Sequence, residues 1–241
     1  DRNNSLRLSF RDLLLNKAYL GPLFAISLPV FSGKFLFSLG KVLVNSMAAV
    51  YGPLTVAAFG IAMKLGGGPG ALSQVFEDSE TGIISQNLGA GQLKRGFKTY
   101  FISHFYSLVV GCLGLLLVVV FLNNIIPLFT DATDQEFITI LKTIFRFERY
   151  SIITSSSIAI ITGMFIGFKY SRIAFVLNFV RLFVFRLPLL WILQYNNVGY
   201  VALGYTMFFS NLLTMLLAFG YLGFFYRRVS AYGYMNMYLR G

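Results

Sequence analysis

The sequence predicts an all-α integral membrane protein, a bundle of six transmembrane helices. Three observations carry that prediction. The 241-residue chain is 56% hydrophobic and only 12% charged, whereas soluble domains carry about 25% charged residues. Its mean hydropathy is +0.70. Apolar runs long enough to cross a hydrocarbon core, about 20 residues each, recur six times between polar or Gly/Pro breaks. In lipid the backbone must satisfy its own hydrogen bonds. No run alternates with the period of two that a barrel strand needs, so all six read as helices.

The runs are Leu20–Val50, Leu54–Leu88, Tyr100–Leu128, Phe137–Phe168, Ile173–Tyr195 and Val198–Tyr226. Breaks fall at Tyr51–Pro53, Gly89–Gly91, Thr130–Asp134, Lys169–Arg172 and Asn196–Asn197. The first two runs are longer than a span requires and are interrupted, which predicts tilting or kinking. The domain reading is a cytoplasmic or interfacial linker over 1–19, the six-helix lobe over 20–228 and a cytoplasmic tail over 229–241. Ser5–Leu15, "SLRLSFRDLLL", is mildly amphipathic and suits either a membrane-surface helix or a plain linker. The aromatic, basic tail suits an interfacial anchor. A chain that opens at Asp1, with no signal peptide in view, is expected to be a fragment or a processed product.

Loop charges set the orientation. Arg2, Arg7, Arg11 and Lys17 precede the first run, and Lys94, Arg95 and Lys98 lie after the second. Lys169 and Arg172 follow the fourth, and Arg227, Arg228 and Arg240 follow the sixth. The alternate turns hold no Lys or Arg and carry Asp131, Asp134 and Glu136 instead. The positive-inside rule therefore predicts both termini in the cytoplasm of a multi-pass plasma-membrane protein. The net charge of +11 is topological and needs no nucleic-acid partner. Single Cys and His residues, Cys112 and His104, exclude an internal disulfide, a Cys-based metal cluster and a multi-His site. "GGGPG" lacks the Lys-Ser/Thr of a phosphate-cradling loop, and no nucleophile–base pair has supporting context. Neither an enzyme nor an ATP-driven pump is predicted, and no cofactor beyond a coupling ion, sodium or proton.

Gln74–Ile84, "QVFEDSETGII", holds three of the chain's nine acids inside an apolar run. With Gly89 as the inner end of the second helix, Glu80 lies about 13 Å in and Glu77 about 18 Å in. A charge at that depth costs about 2.5–3.5 kcal/mol or more. At helical spacing Ser73, Glu77, Glu80, Thr81 and Ile84 share a face. Asp78 sits beside it with Gln74 and Ser85, and Leu72, Val75, Phe76 and Ile83 cover the opposite side. Two compatible readings follow. Glu77, Asp78 and Glu80 line a cavity and bind a cation or proton, with a sodium site at Glu77 and Glu80 in the metal version. Alternatively they pair with cations of the bundle. The first helix supplies a partner face in Ser27, Lys34, Ser38, Lys41 and Asn45, with Lys34 about 20 Å from Gly21. An ion pair of Lys34 with Glu77 or Glu80 is expected.

Gly66, Gly67, Gly68, Pro69 and Gly70 weaken the second helix, as a hinge for alternating access or as a static kink. Glu148, between Arg146 and Arg149 in "FRFERY", reads as part of a snorkelling cluster near the outer end of the fourth run. Arg181 and Arg186 lie deeper and balance acids across the bundle. Lys64 snorkels outward. Thr154–Ser157, "TSSS", with Thr162 and Gly163, predicts close helix packing. His104 reads as structural.

Five stretches in order resemble one family. Pro53–Ala62, "PLTVAAFGIA", leads into Ile84–Arg95, "ISQNLGAGQLKR". Ile126–Asp131, "IPLFTD", Arg181–Pro188, "RLFVFRLP", and Gly199–Asn211, "GYVALGYTMFFSN", follow at matching spacing. Together they resemble the second half of the multidrug and toxic compound extrusion (MATE) transporters. The resemblance implies one six-helix lobe, the C-terminal one, of a twelve-helix protein built as a parallel repeat. It implies export of cationic organic compounds against inward sodium or proton movement. The proton-linked aspartate of some members belongs to the other lobe and has no counterpart here. Expected partners are membrane lipid, a small cationic substrate, and the missing N-terminal lobe or a second copy. Two alternatives stand beside this one. A lipid-linked oligosaccharide flippase of the same superfamily would use Lys34, Lys41, Lys64, Arg181 and Arg186 to meet a pyrophosphate. A truncated, non-transporting membrane protein is the other.

Overall fold

The computed structural model describes residues 17–129 and 134–232, and every regular element among them is helical. Helix α1 (Lys17–Ala48) runs into a 3-10 turn at Ala49–Tyr51. Gly52 turns the chain with φ +91°, a conformation a β-carbon disfavours. Pro53 then opens α2 (Pro53–Gly89) at the position where its missing N–H costs no hydrogen bond. Next come α3 (Leu93–Val120), a short α4 (Leu122–Ile125) and a 3-10 turn at Ile126–Leu128. The Asp134 carboxylate accepts the Phe137 N–H at 3.0 Å and caps α5 (Gln135–Gly167). A fifth rod is built from α6 (Ser171–Phe179), a π-helical segment at Val180–Arg186 and α7 (Leu187–Tyr195). Helix α8 (Val201–Tyr232) completes six rods.

Five of these rods are long and apolar enough to cross a membrane. The sixth, α2, has length to spare at 37 residues, about 55 Å. It differs from the others in carrying Lys64, Glu77, Asp78 and Glu80, and in its Gly66–Gly70 stretch, which lowers its hydropathy. Two features differ most from the hydropathy reading. Helix α3 starts at Leu93 rather than Tyr100, because "LKRGFKT" continues the helix through residues too polar for hydropathy to include. Helix α2 also runs unbroken through Gly66–Gly70. Pro69 withholds an N–H from the Leu65 carbonyl, yet it is buried against α3, where a β-carbon on Gly114 would sit 3.2 Å from its ring. The Ser5–Leu15 segment, most of the break at Thr130–Asp134 and most of the tail lie outside the described residues.

The interior has three levels. One apolar cluster joins Phe59, Leu65, Leu141, Phe145, Leu190 and Leu203 at one end of the rods. A second joins Ile84, Phe97, Ile161, Phe165, Leu177 and Phe225 at the other. Between them the rods bury polar groups, among them Ser73, Glu77, Glu80, Glu148, Arg181, Arg186 and Asn211.

Small residues bring α2 and α5 together at this polar level. A β-carbon on Gly163 would lie 2.8 Å from the Glu77 carbonyl oxygen, and one on Gly167 would lie 2.9 Å from Ile84. Thr81 donates to the Gly163 carbonyl at 3.0 Å, Ser85 to the Gly167 carbonyl at 3.2 Å, and Ser73 to Ser156 at 2.7 Å. Close backbones joined by hydroxyl bonds are how helices associate in lipid. The same device seats α1 on the fifth rod: Gly33 abuts Phe175 and Gly40 abuts Leu182.

Gly163→Ala is therefore expected to lower stability by about 1–3 kcal/mol, since the added methyl meets backbone. Gly67→Ala, where nothing lies within 4 Å, is expected to raise it by up to about 1 kcal/mol. Chemical unfolding of the detergent-solubilised protein measures both. A like-signed response at the two sites would contradict the tight crossing.

Candidate functional site

The polar level is organised around α2. Glu77 is 5% exposed and Glu80 0% exposed, while Asp78 lies at the surface. Lys34 of α1 reaches across to both neighbouring acids. Its Nζ stands 3.9 Å from Glu77 Oε1 and 3.6 Å from Asp78 Oδ1. The expected partnership with Glu77 is present, and Asp78, offset from the main face, shares the same ammonium. Gln74 donates to Glu77 Oε2 at 2.8 Å and reaches Asp78 Oδ1 at 3.5 Å. Lys34 is half-exposed, so this three-charge cluster opens onto the outer face of α1 and α2.

Glu80 turns away from Lys34 toward α3, where Ser103 and Tyr100 are its polar neighbours. Neither carboxyl oxygen has a hydrogen-bond partner at bonding distance. Glu77 and Glu80 thus share a helix face but look into different crevices. Among the described residues no group of three or more His, Cys, Asp or Glu is placed to hold a metal ion. Ser73 and Thr81 spend their hydroxyls on the α2–α5 crossing. Lys41 and Asn45 are exposed on α1.

Glu148 does not snorkel. It is 8% exposed and packs against Gly66, where a β-carbon would lie 2.9 Å from its Cγ. Helical spacing explains the correction: Ile144, Phe145, Glu148, Ser151 and Ile152 share one buried face of α5. Arg146 takes the exposed face, and Arg149 bonds the Tyr150 hydroxyl at 3.0 Å. Lys41 and Arg186 are the cations within electrostatic reach of Glu148. His104 lies 3.1 Å from the Tyr100 hydroxyl and 3.4 Å from Ser157 Oγ.

Sequence reasoning missed Phe37. Its ring gathers Arg181 at 3.8 Å, Lys41 at 5.2 Å and Arg186 at 5.7 Å from the centroid. The available signal was the five-residue spacing of the arginines followed by Pro188. A groove of about 810 Å³ also opens between α3 and the end of α8, lined by Phe97, Phe101, Phe105 and Tyr226 with Lys94 and Lys98. It includes none of the buried acids.

The MatE family model matches residues 29–192. A MATE structure solved in complex with MaL6 superposes with TM-score 0.82 at 15% identity, over 91% of this chain and 50% of that one. An outward-facing multidrug resistance MATE transporter of the MOP superfamily gives 0.82 at 16% identity, over 91% and 49%. A Vibrio cholerae MATE transporter gives 0.76 at 20% identity, over 94% and 51%. At these identities the likeness is one of fold. No curated protein matches the sequence. The chain spans about half the length of the structures it matches. Its six-rod bundle reproduces half of a MATE transporter, the family model covers most of its residues, and the chain belongs to the MatE family.

Proposed function

We propose that this chain is the C-terminal lobe of a MATE-type secondary transporter, exporting cationic organic compounds in exchange for sodium ions or protons. The observation that carries this reading is Lys34, shared between Glu77 and Asp78 on an open face. Helix α1 packs chiefly on the fifth rod and barely touches α2. The Lys34 bridge is therefore a main tie between α1 and the α2–α5 pair. An incoming sodium ion, proton or cationic substrate competes with the ammonium for the same carboxylates. When it wins, the tie opens and α1 is free to shift with the rod it rides on. The unpartnered oxygens of Glu80 offer a second acceptor in the neighbouring crevice. Gly66–Gly70 and Pro69 supply compliance in α2, with open space around Gly67 and Gly68.

The exposed polar face of α1 and α2, with Lys34, Ser38, Lys41, Asn45, Gln74 and Asp78, is costly against hydrocarbon. It suits the other half of a transporter, an N-terminal lobe or a second copy. Both termini lie in the cytoplasm on this reading, in the plasma membrane. One observation favours the flippase alternative: the buried cations Arg181 and Arg186 have no carboxylate at salt-bridge distance among the described residues.

In vesicles driving dye export with a sodium or proton gradient, Glu77→Gln and Glu80→Gln are each expected to cut export severalfold. Lys34→Gln combined with Glu77→Gln is expected to be milder than the two single losses added, by a coupling of about 0.5–3 kcal/mol. Unchanged export in the glutamate variants, or strict additivity in the pair, would defeat the assignment. Orientation is testable separately in a chain carrying Cys112→Ala. A membrane-impermeant maleimide is expected to label Asn196→Cys in intact cells and Gln92→Cys only after permeabilisation. The reverse pattern would overturn the topology.

A further inference from the structure

Val180–Arg186 adopts the i→i+5 hydrogen bonding of a π-helix. Pro188 accounts for its position, since it has no N–H to give the Val184 carbonyl. The consequence is geometric. Five residues of α-helix turn the chain by about 500°, which would leave Arg181 and Arg186 about 140° apart. Bonding from i to i+5 widens the turn, which brings residues five apart nearer to one face than an α-helix does. Both guanidiniums accordingly reach the same ring, Phe37. Lys41, one α1 turn beyond Phe37, adds a third cation. The contact of Gly40 with Leu182 holds α1 close enough for this.

These charges are poorly matched within the chain. Arg181 donates to Asn178 Oδ1 at 2.9 Å, and Arg186 donates to Ser210 Oγ at 3.0 Å and Asn211 Oδ1 at 2.8 Å, all neutral acceptors. The Nε of Arg181, a residue only 7% exposed, has no partner. Among the described residues no carboxylate lies at salt-bridge distance from Arg181, Arg186 or Lys41. Glu77 is within reach of the Arg181 field but is held by Lys34 and Gln74. Glu148 has two of these cations, Arg186 and Lys41, within electrostatic reach. Buried cations without a counter-charge are costly, and a ring face offsets only part of that cost. By formal charge, Lys34, Lys41, Arg181 and Arg186 stand against Glu77, Asp78 and Glu148, which leaves an excess of positive charge for an anion to answer. Guanidinium forks are shaped for phosphate oxygens. Phe37 is half-buried and Lys41 exposed, so the cluster has an opening.

We propose that Phe37, Lys41, Arg181 and Arg186 form a binding site for a phosphate or diphosphate group, assembled by the π-helical turn. The site rests on charge geometry and stands whether or not the chain exchanges cations. The test uses the full chain in phosphatidylcholine nanodiscs, titrated with inorganic pyrophosphate at constant ionic strength and read by calorimetry and by the thermal unfolding midpoint. A parallel series replaces part of the lipid with phosphatidic acid. Pyrophosphate is expected to bind and stabilise, with affinity falling about tenfold or more in Arg181→Gln and Lys41→Gln, as loss of a charge-assisted contact implies. Lys41 is exposed, so that variant keeps the fold if Arg181→Gln does not. Pro188→Ala, which keeps every charge but favours α geometry, is expected to weaken binding as well. Stabilisation by phosphatidic acid alone, lost in Lys41→Gln, would support the site and identify its ligand as a lipid headgroup. The proposal is overturned if neither probe affects the unmodified chain, or if both act equally on it and on the Lys41 and Arg181 variants.

Discussion

A charge placed at mid-bilayer depth has to be answered from inside the protein, because neither water nor lipid will answer it. Lys34 answers two at once. Its ammonium stands between Glu77 and Asp78, and that bridge is a main tie between α1 and α2. Glu77 is in turn pinned by the α2–α5 crossing, where Gly163 lets the backbones meet. The ion pair and the helix crossing thus meet at Glu77, whose backbone Gly163 lets α5 approach.

The two apolar clusters make this arrangement affordable in structural terms. They pack the rods together on either side of the polar level. Neutral polar side chains there do two jobs. Ser73, Thr81 and Ser85 tie α2 to α5, while Ser210 and Asn211 of α8 orient Arg186. The belt is polar throughout but unevenly charged, acidic where α2 meets α1 and α3, basic where α1 meets the π-helical turn.

Much of the fold was readable from hydropathy and charge, because lipid makes both decisive. Six rods, the acidic face of α2 and the register of Lys34 with Glu77 follow from spacing alone. Other features depended on tertiary context. Glu148 looked like an interfacial residue because arginines flank it, whereas the helical period turns it inward. The start of α3 was hidden by lysines that a helix tolerates outside the hydrocarbon. Glu77 and Glu80 share a helix face, but only the neighbours decide that one meets α1 and the other α3. The pairing of Arg181 with Arg186 needs a π-helical turn, and α-helical counting sends the two apart.

The central claim is depth: the charged belt lies within the hydrocarbon core. Cys112, the chain's one cysteine, is exposed on α3 beside Gly111. A β-carbon on Gly111 would lie 3.4 Å from Ser156 Oγ and 3.9 Å from Ser73 Oγ, which sets Cys112 at the level of the belt. A nitroxide attached to Cys112 in liposomes reports depth through its relative relaxation by oxygen and by an aqueous nickel chelate. The account predicts strong relaxation by oxygen and almost none by nickel. Relaxation dominated by nickel would place the belt in water and contradict it.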